Sequence, residues 1–284
     1  MKSVSPIQRR VVQILAVCFL AGACGLLAHA AAKGKIDGYT NTPLQPDGKW
    51  TVHDPRRPQP AIVTPGTVST QETPGKAPSD AIVLFDGKDL SKFKKSNWLV
   101  KDGYVQVKGG QLTSIQEFGD VQVHVEWLAS KDIKGSGQKR GNSGVFLMGR
   151  YEIQVLDCYE NQTYADGMTG SVYGQHPPLV NACLPQETWH SYDIIFTAPE
   201  FKDNKVVKPA YFTVMLNGVV VQNHAEVRGP CTWRNLAKYR PHGPKGPLSF
   251  QAHGNPMRFR NIWIRPLNPP AQKAPAPAAA ATEK

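Results

Sequence analysis

The stretch GNSGVFLMGRYEIQVLD, Gly141 to Asp157, ends in a run that alternates apolar and polar residues. A strand sends successive side chains to opposite faces, so Tyr151, Ile153 and Val155 share one side and Glu152 and Gln154 the other. A carboxylate beside an amide can take up a proton and can hydrogen-bond a polyhydroxylated ligand. Two further runs have the same character. His124 and Glu126 share the polar face of VQVHVEWLA, and Gln251 and His253 share that of PLSFQAHG. Taken singly, each is a half-solvated surface strand. Side by side in one sheet, the three would form a polar concave floor with paired donors and acceptors for sugar hydroxyls.

Other residues with chemical potential lie between these runs. HGNPMRFRN gathers His253, Asn255, Arg258 and Arg260 around a Gly-Asn-Pro turn, either as a hairpin with an ion-paired arginine or as part of a site. Asn142 sits in the turn RGNSG, and Tyr173 in the long aperiodic loop DCYENQTYADGMTGSVYGQHPPLVNA, a length that in a compact domain often serves function. Glycine-rich phosphate loops and a GxSxG nucleophile elbow are missing, which speaks against a nucleotide site and a serine hydrolase.

These residues need strands to position them, and the sequence supplies many. AIVLF, WLVKDGYVQVKGGQLTS, VQVHVEWLA, GVFLMG, YEIQVLD, WHSYDIIFTAP, AYFTVMLNGVVVQN, PLSFQAHG and FRNIWIRPL are short β-type runs, punctuated by Asp102-Gly103, Gly109-Gly110 and Asn217-Gly218. Amphipathic helical periodicity is lacking. The pattern predicts an all-β, two-sheet β-sandwich or jelly roll. Val121–Trp127, Tyr151–Val155 and Phe212–Leu216 are expected as strands, with Val123, Val125, Ile153 and Val155 buried between the sheets.

The chain ends read differently. Lys2, Arg9 and Arg10 precede the apolar VVQILAVCFLAGACGLL and the small-x-small Ala28 to Ala30, the order of a cleavable signal peptide over residues 1–30. The apolar stretch is short for a membrane span, and Ala21 stands where a lipidation site at Cys24 would want a larger aliphatic residue. The expected location is therefore periplasmic or secreted, with the mature chain starting near Ala31 and no membrane attachment. Residues 31–78, rich in Pro, Thr and Gly, read as an extended arm that Tyr39, Trp50 and Val52 could anchor; 79–267 form the domain, and 268–284 a disordered Pro/Ala tail. Loss of the signal lowers the formal charge from +11 to +8. The basic residues are scattered, with no basic helix and no zinc-finger spacing, so nucleic acid is not an expected partner. Cys158, Cys183 and Cys231 remain in the mature chain, enough for at most one disulfide.

LFDGKDL, GNSGVFLMGRYEIQVLD, YADGMTGSVYGQHPPLVNA, WHSYDIIFTAP, LNGVVVQN and HGNPMRFRNIWIRPL, in that order, resemble the 3-keto-disaccharide hydrolase family, from about Ser79 to Leu267. The resemblance implies a concanavalin-like jelly roll acting on glycosides already oxidised at carbon 3. GYTNTPLQPDGKW looks like an extension of some bacterial members. Ala252 departs from the Asp that relatives often carry, and the three cysteines stand where Ser or Thr would be expected. A ketone at carbon 3 acidifies the hydrogen on carbon 2, so a base, an enolate stabiliser and a donor to the leaving oxygen are required. On this resemblance Glu152 or His253 is the base, with Glu152 first; Gln154, Arg258 or a divalent metal ion holds the enolate oxygen; Asp157 or Glu126 serves as ligand or acid. His124, Glu126, Asn142, Tyr173, Asn255 and Arg258 are the expected substrate-binding residues, and an upstream sugar 3-dehydrogenase is the expected pathway partner. A non-catalytic carbohydrate-binding sandwich, with Tyr173 and Trp189 as stacking platforms, is the alternative, as is a structural domain of the cell envelope.

Overall fold

The computed structural model describes residues 36–267. The signal segment 1–30, Cys24 and the tail 268–284 lie outside the described residues.

The chain divides into two compact units, one ending at Ala61 and one beginning at Ile62. Residues 62–78, read as arm on the sequence, thus belong with the main unit. Their apolar content is low, and polar anchors hold them instead: the carbonyls of Thr70 and Gln71 accept hydrogen bonds from Arg260 at 2.5 and 3.1 Å. In the first unit, an isolated bridge pairs Leu44 with Thr51, and buried Asp54 clamps the Arg56 guanidinium at 2.6 and 2.8 Å.

The main unit is an antiparallel β-sandwich, with no α-helix among the described residues. Its strands are β1 (Ile82–Phe85), β2 (Leu99–Lys101), β3 (Tyr104–Gln106), β4 (Leu112–Phe118), β5 (Val121–Leu128), β6 (Ser143–Leu147), β7 (Tyr151–Val155), β8 (His190–Thr197), β9 (Glu200–Lys202), β10 (Lys205–Lys208), β11 (Tyr211–Leu216), β12 (Val219–Glu226), β13 (Gly246–Phe250) and β14 (Arg258–Pro266). One sheet runs β12-β11-β8-β5-β14-β3-β2 with β1 also on β14; the other runs β4-β13-β6-β7. The expected strands are present, Tyr151–Val155 with the same bounds. Two features differ. β13 stops at Phe250, so Gln251 and His253 leave the sheet on a loop, and a β9-β10 hairpin occupies a lysine-rich stretch that carries little strand signal.

Turn chemistry sets the register. Asn217-Gly218 and Asp102-Gly103 each have two consecutive positive φ values (52 and 78, 47 and 78), as a type I′ hairpin turn requires. The two inner faces meet in one core, where Val123, Val125, Ile153 and Val155 are all fully buried. Tyr151 packs on Phe196 at 5.6 Å and Phe250 on Phe259 at 5.1 Å, aromatic contacts that join the sheets. Because β5 and β7 both turn their β-branched residues inward, their polar residues point away from each other. That parity separates Glu126 from Glu152.

Candidate active site

Glu152 and Gln154 project from the outer face of β7, as the alternation dictates. They form the floor of a cleft of ≈ 390 Å³, whose wall includes Gln138, Asn142, Tyr164, Tyr173, Cys231, Trp233, Gln251 and His253. The Glu152 side chain is almost wholly removed from water, with 4% of the residue exposed. Burial raises its pKa from 4.5 to about 7, and the Cys231 thiol, which donates to Oε2 at 2.8 Å, pulls the other way without restoring the ordinary value. The Gln154 amide nitrogen faces Glu152 Oε1 at 3.1 Å and the Ser143 carbonyl at 2.9 Å, the orientation in which it meets acceptors. A carboxylate that changes protonation near neutrality, in a cleft, is suited to moving a proton to or from a bound molecule.

Gly144 makes room for that carboxylate. It lies on β6 facing the same way as Glu152, and a Cβ there would stand 2.2 Å from Glu152 Oε1 and 3.0 Å from the Phe146 ring. Gly144→Ala is therefore expected to push the carboxylate off its position and lower kcat by about 10–100-fold, a displacement of the order of an ångström being enough for that. Steady-state kinetics beside a melting curve checks it. A variant with parental kcat would show that the carboxylate position is immaterial.

Asn142 is fixed from behind: its backbone N–H donates to Asn255 Oδ1 at 2.9 Å, and its side chain donates to the Gln138 carbonyl at 2.9 Å. Asn255 thus supports the wall. Tyr173 is on the cleft, its hydroxyl 2.8 Å from that of Tyr164. Among the described residues, the side chains of Gln251 and His253 make no intramolecular hydrogen bond, which leaves them free for a ligand. Of the predicted set, the fold therefore joins Glu152, Gln154, His253, Asn142 and Tyr173.

The remaining predicted residues are elsewhere. Asp157 is buried against Arg140, with Nε at 2.7 Å from Oδ2, and ties down the loop before β6. Arg258 lies over the Tyr104 ring at 5.0 Å with Glu187 at 3.8 Å, on the other sheet. His124 and Glu126 occupy the outer face of the eight-stranded sheet, across the core from Glu152. There Glu126 bonds Ser69 at 2.5 Å, Asn261 at 2.7 Å and Arg260 at 2.6 Å, while His124 bonds Asp193 at 2.8 Å. Trp189 belongs to the same face, where the Arg260 guanidinium covers its ring at 4.3 Å. The three polar faces do not share one floor, because β5 belongs to the opposite sheet.

The cleft does not fit a resident divalent cation. Its lining offers one carboxylate, Glu152, and one imidazole, His253, beside amides, phenols, an indole and a thiol, a poor donor set for a hard cation. Among the described residues, no three His, Cys, Asp or Glu side chains converge as ligands. The three cysteines are free thiols. Interaction between the neighbouring Cys158 and Cys183 thiols lowers the pKa of Cys158 and raises that of Cys183.

With this geometry, the likeness to known proteins is informative. The family profile described as 3-keto-alpha-glucoside-1,2-lyase-like domain matches residues 80–265. The chain belongs to that family. A crystal structure of a candidate glycosyl hydrolase from Parabacteroides distasonis ATCC 8503 is 44% identical, covers 80% of this chain and all of its own length, and superposes with a TM-score of 0.72. A second candidate glycosyl hydrolase from the same organism is 20% identical over 66% of this chain and 94% of its own, at a TM-score of 0.49. No curated protein matches the chain. Membership of the 3-keto-alpha-glucoside-1,2-lyase-like family makes this a glycoside hydrolase-like, carbohydrate-active protein, and the cleft around Glu152 is where its family-matched strands β6 and β7 place polar groups.

Proposed function

We propose that the protein cleaves 3-keto-glycosides by elimination across carbons 1 and 2, followed by hydration. The observation that carries this reading is Glu152, a buried carboxylate with a pKa of about 7 on a cleft floor. Ionised Glu152 takes the proton from carbon 2, and the C–H electron pair moves to the carbon 3 oxygen as an enolate. Gln251 and His253, with unengaged side chains on the cleft wall, donate to that oxygen and to the glycosidic oxygen. The enolate re-forms the ketone and expels the carbon 1 substituent, which leaves with a proton as an alcohol. Water then adds its hydroxyl at carbon 1 of the resulting enone, its other proton replaces the one that the cleft wall gave to the departing alcohol, and carbon 2 regains a proton from Glu152, so the net reaction consumes one water. An oxidation at carbon 3 must precede this step, the work of a sugar 3-dehydrogenase.

Incubation of the purified chain with 3-keto-glucosides of both anomers, with and without chelator, tests the proposal. Aglycone and 3-keto-glucose are expected to appear at equal rates in both conditions. Failure to release any aglycone refutes it, and a chelator-sensitive rate refutes the metal-independent site.

The residues 1–30 support export of the protein and cleavage near Ala30. N-terminal sequencing of the exported chain is expected to start near Ala31; an intact Met1 or a lipid on Cys24 would overturn this.

A further inference from the structure

We infer that the leaving group of the substrate is an aryl ring, held in a second cavity that opens from the Glu152 cleft. The inference rests on the proposed reaction and deepens it. The cavity measures ≈ 700 Å³, and its wall shares Tyr164, Tyr173 and Trp233 with the cleft. A glycoside whose sugar ring lies over Glu152 must therefore extend its carbon 1 substituent outward past these three rings.

The chemistry of the wall selects the substituent. Trp233 is 71% exposed, Leu236 80% and Tyr164 47%, a cluster of large apolar side chains on one loop-lined surface. A contiguous exposed patch of this kind marks a binding surface. A second sugar would draw on many unengaged donors and acceptors, and much of the polar lining beside the three rings is spent locally, with Asp166, Arg234 and the Asn235 amide nitrogen left over. The Thr232 hydroxyl donates to the Asn235 carbonyl at 3.0 Å, Asn235 Oδ1 accepts from the Leu236 N–H at 2.9 Å, and the Tyr164 and Tyr173 hydroxyls pair at 2.8 Å. Arg234, held in the left-handed region at φ 54, lays its guanidinium over one face of Trp233 at 5.2 Å. That contact braces the indole as an aromatic ledge in the cavity wall, which the guanidinium also lines. A flat apolar ring stacks on such a ledge and buries Leu236 as well. An aryl oxide is also a stable leaving group that needs little help from an acid, which suits a wall whose imidazole is the exposed His253.

The test compares parent and Trp233→Ala on phenyl and methyl 3-keto-glucosides and on a 3-keto-disaccharide, with KM and kcat separated and tryptophan fluorescence titration by phenyl glucoside alongside. The parent is expected to have the lowest KM for the phenyl substrate, and Trp233→Ala to raise that KM about tenfold, the value of one aromatic contact, while raising the KM of the methyl substrate by clearly less. Trp233→Phe should recover most of the loss. A parent that prefers the disaccharide, or a Trp233→Ala variant that weakens phenyl and methyl substrates equally, overturns the inference. If no 3-keto-glycoside is turned over but phenyl glucoside still binds in a Trp233-dependent way, the reaction fails and the aryl subsite stands; if neither occurs, both fail.

Discussion

Glu152→Gln is expected to cut kcat on a 3-keto-glycoside by about 10²–10⁴-fold, the usual contribution of a positioned general base. The amide keeps the shape and loses the proton-accepting charge. In the parent, kcat should rise with pH through about 7, the pKa that burial gives Glu152, and this acid limb should vanish from whatever activity the variant retains. The same substitution should stabilise the fold at alkaline pH. Between pH 4.5 and about 7 the native carboxyl still holds a proton that the unfolded chain has released, so parental stability falls as pH rises through that window. The full shift corresponds to about 3 kcal/mol, and with only 4% of Glu152 exposed little of it is lost to solvent screening. Chemical denaturation at pH 4 and pH 8 should show the variant near parity at the lower pH and more stable at the higher. A variant that turns over as fast as the parent would remove Glu152 from the chemistry and favour a non-catalytic carbohydrate-binding role. One that is inactive but no more stable at pH 8 would mean that the parental carboxylate is better solvated than its burial implies.

Strand periodicity exposes the part of this site that lies within one strand and none of the pairing between strands. Tyr151 to Val155 shows its faces directly, because a period of two allows one reading only, and the two hairpin dipeptides fix their turns for the same local reason. Which sheet a strand joins is a non-local choice. His124 and Glu126 have the same alternation as Glu152 and Gln154, yet β5 pairs with β8 and β14 in the larger sheet, so their polar face points the opposite way. Cys231, Trp233 and Tyr164 reach the cleft from loops, where no period exists to mark them. Trp233 and Leu236 stand out as an exposed apolar pair only once the fold is known. The polar strap of residues 62–78 misled for a related reason: it is held by its carbonyls and by Ser69, and backbone carbonyls leave no trace in side-chain patterns.

Glu126→Ala should destabilise the fold by about 3–5 kcal/mol and leave kcat of the folded protein within about twofold of the parent. Its carboxylate lies 2.6 Å from Arg260 Nε with both side chains nearly dry, at 2% and 6% exposure. Burial alone would raise the Glu126 pKa, but hydrogen bonds from His124, Ser69, Asn261 and Arg260 outweigh it and hold the group at about 2. Removing the carboxylate strands a buried guanidinium and releases Ser69, one anchor of the strap. Because the folded pKa lies below 4.5, Glu126 contributes its stability in full above that value and loses it as pH falls toward 2. His124 adds a limb at the other end: burial would lower its pKa, but its bonds to Asp193 and Glu126 raise it from 6.5 to about 9, so its share is complete below 6.5 and fades as pH climbs through 9. The parent should therefore lose stability at both ends, and Glu126→Ala should flatten the acid limb and weaken the alkaline one, where Asp193 still supports His124. Paired replacement of Glu126 by Leu and Arg260 by Met should recover much of the loss, since two apolar side chains of similar volume leave no charge unpaired. Denaturant titration across pH measures all of this. A Glu126→Ala variant with parental stability and a collapsed kcat would instead move the site to this face of the sandwich, away from Glu152.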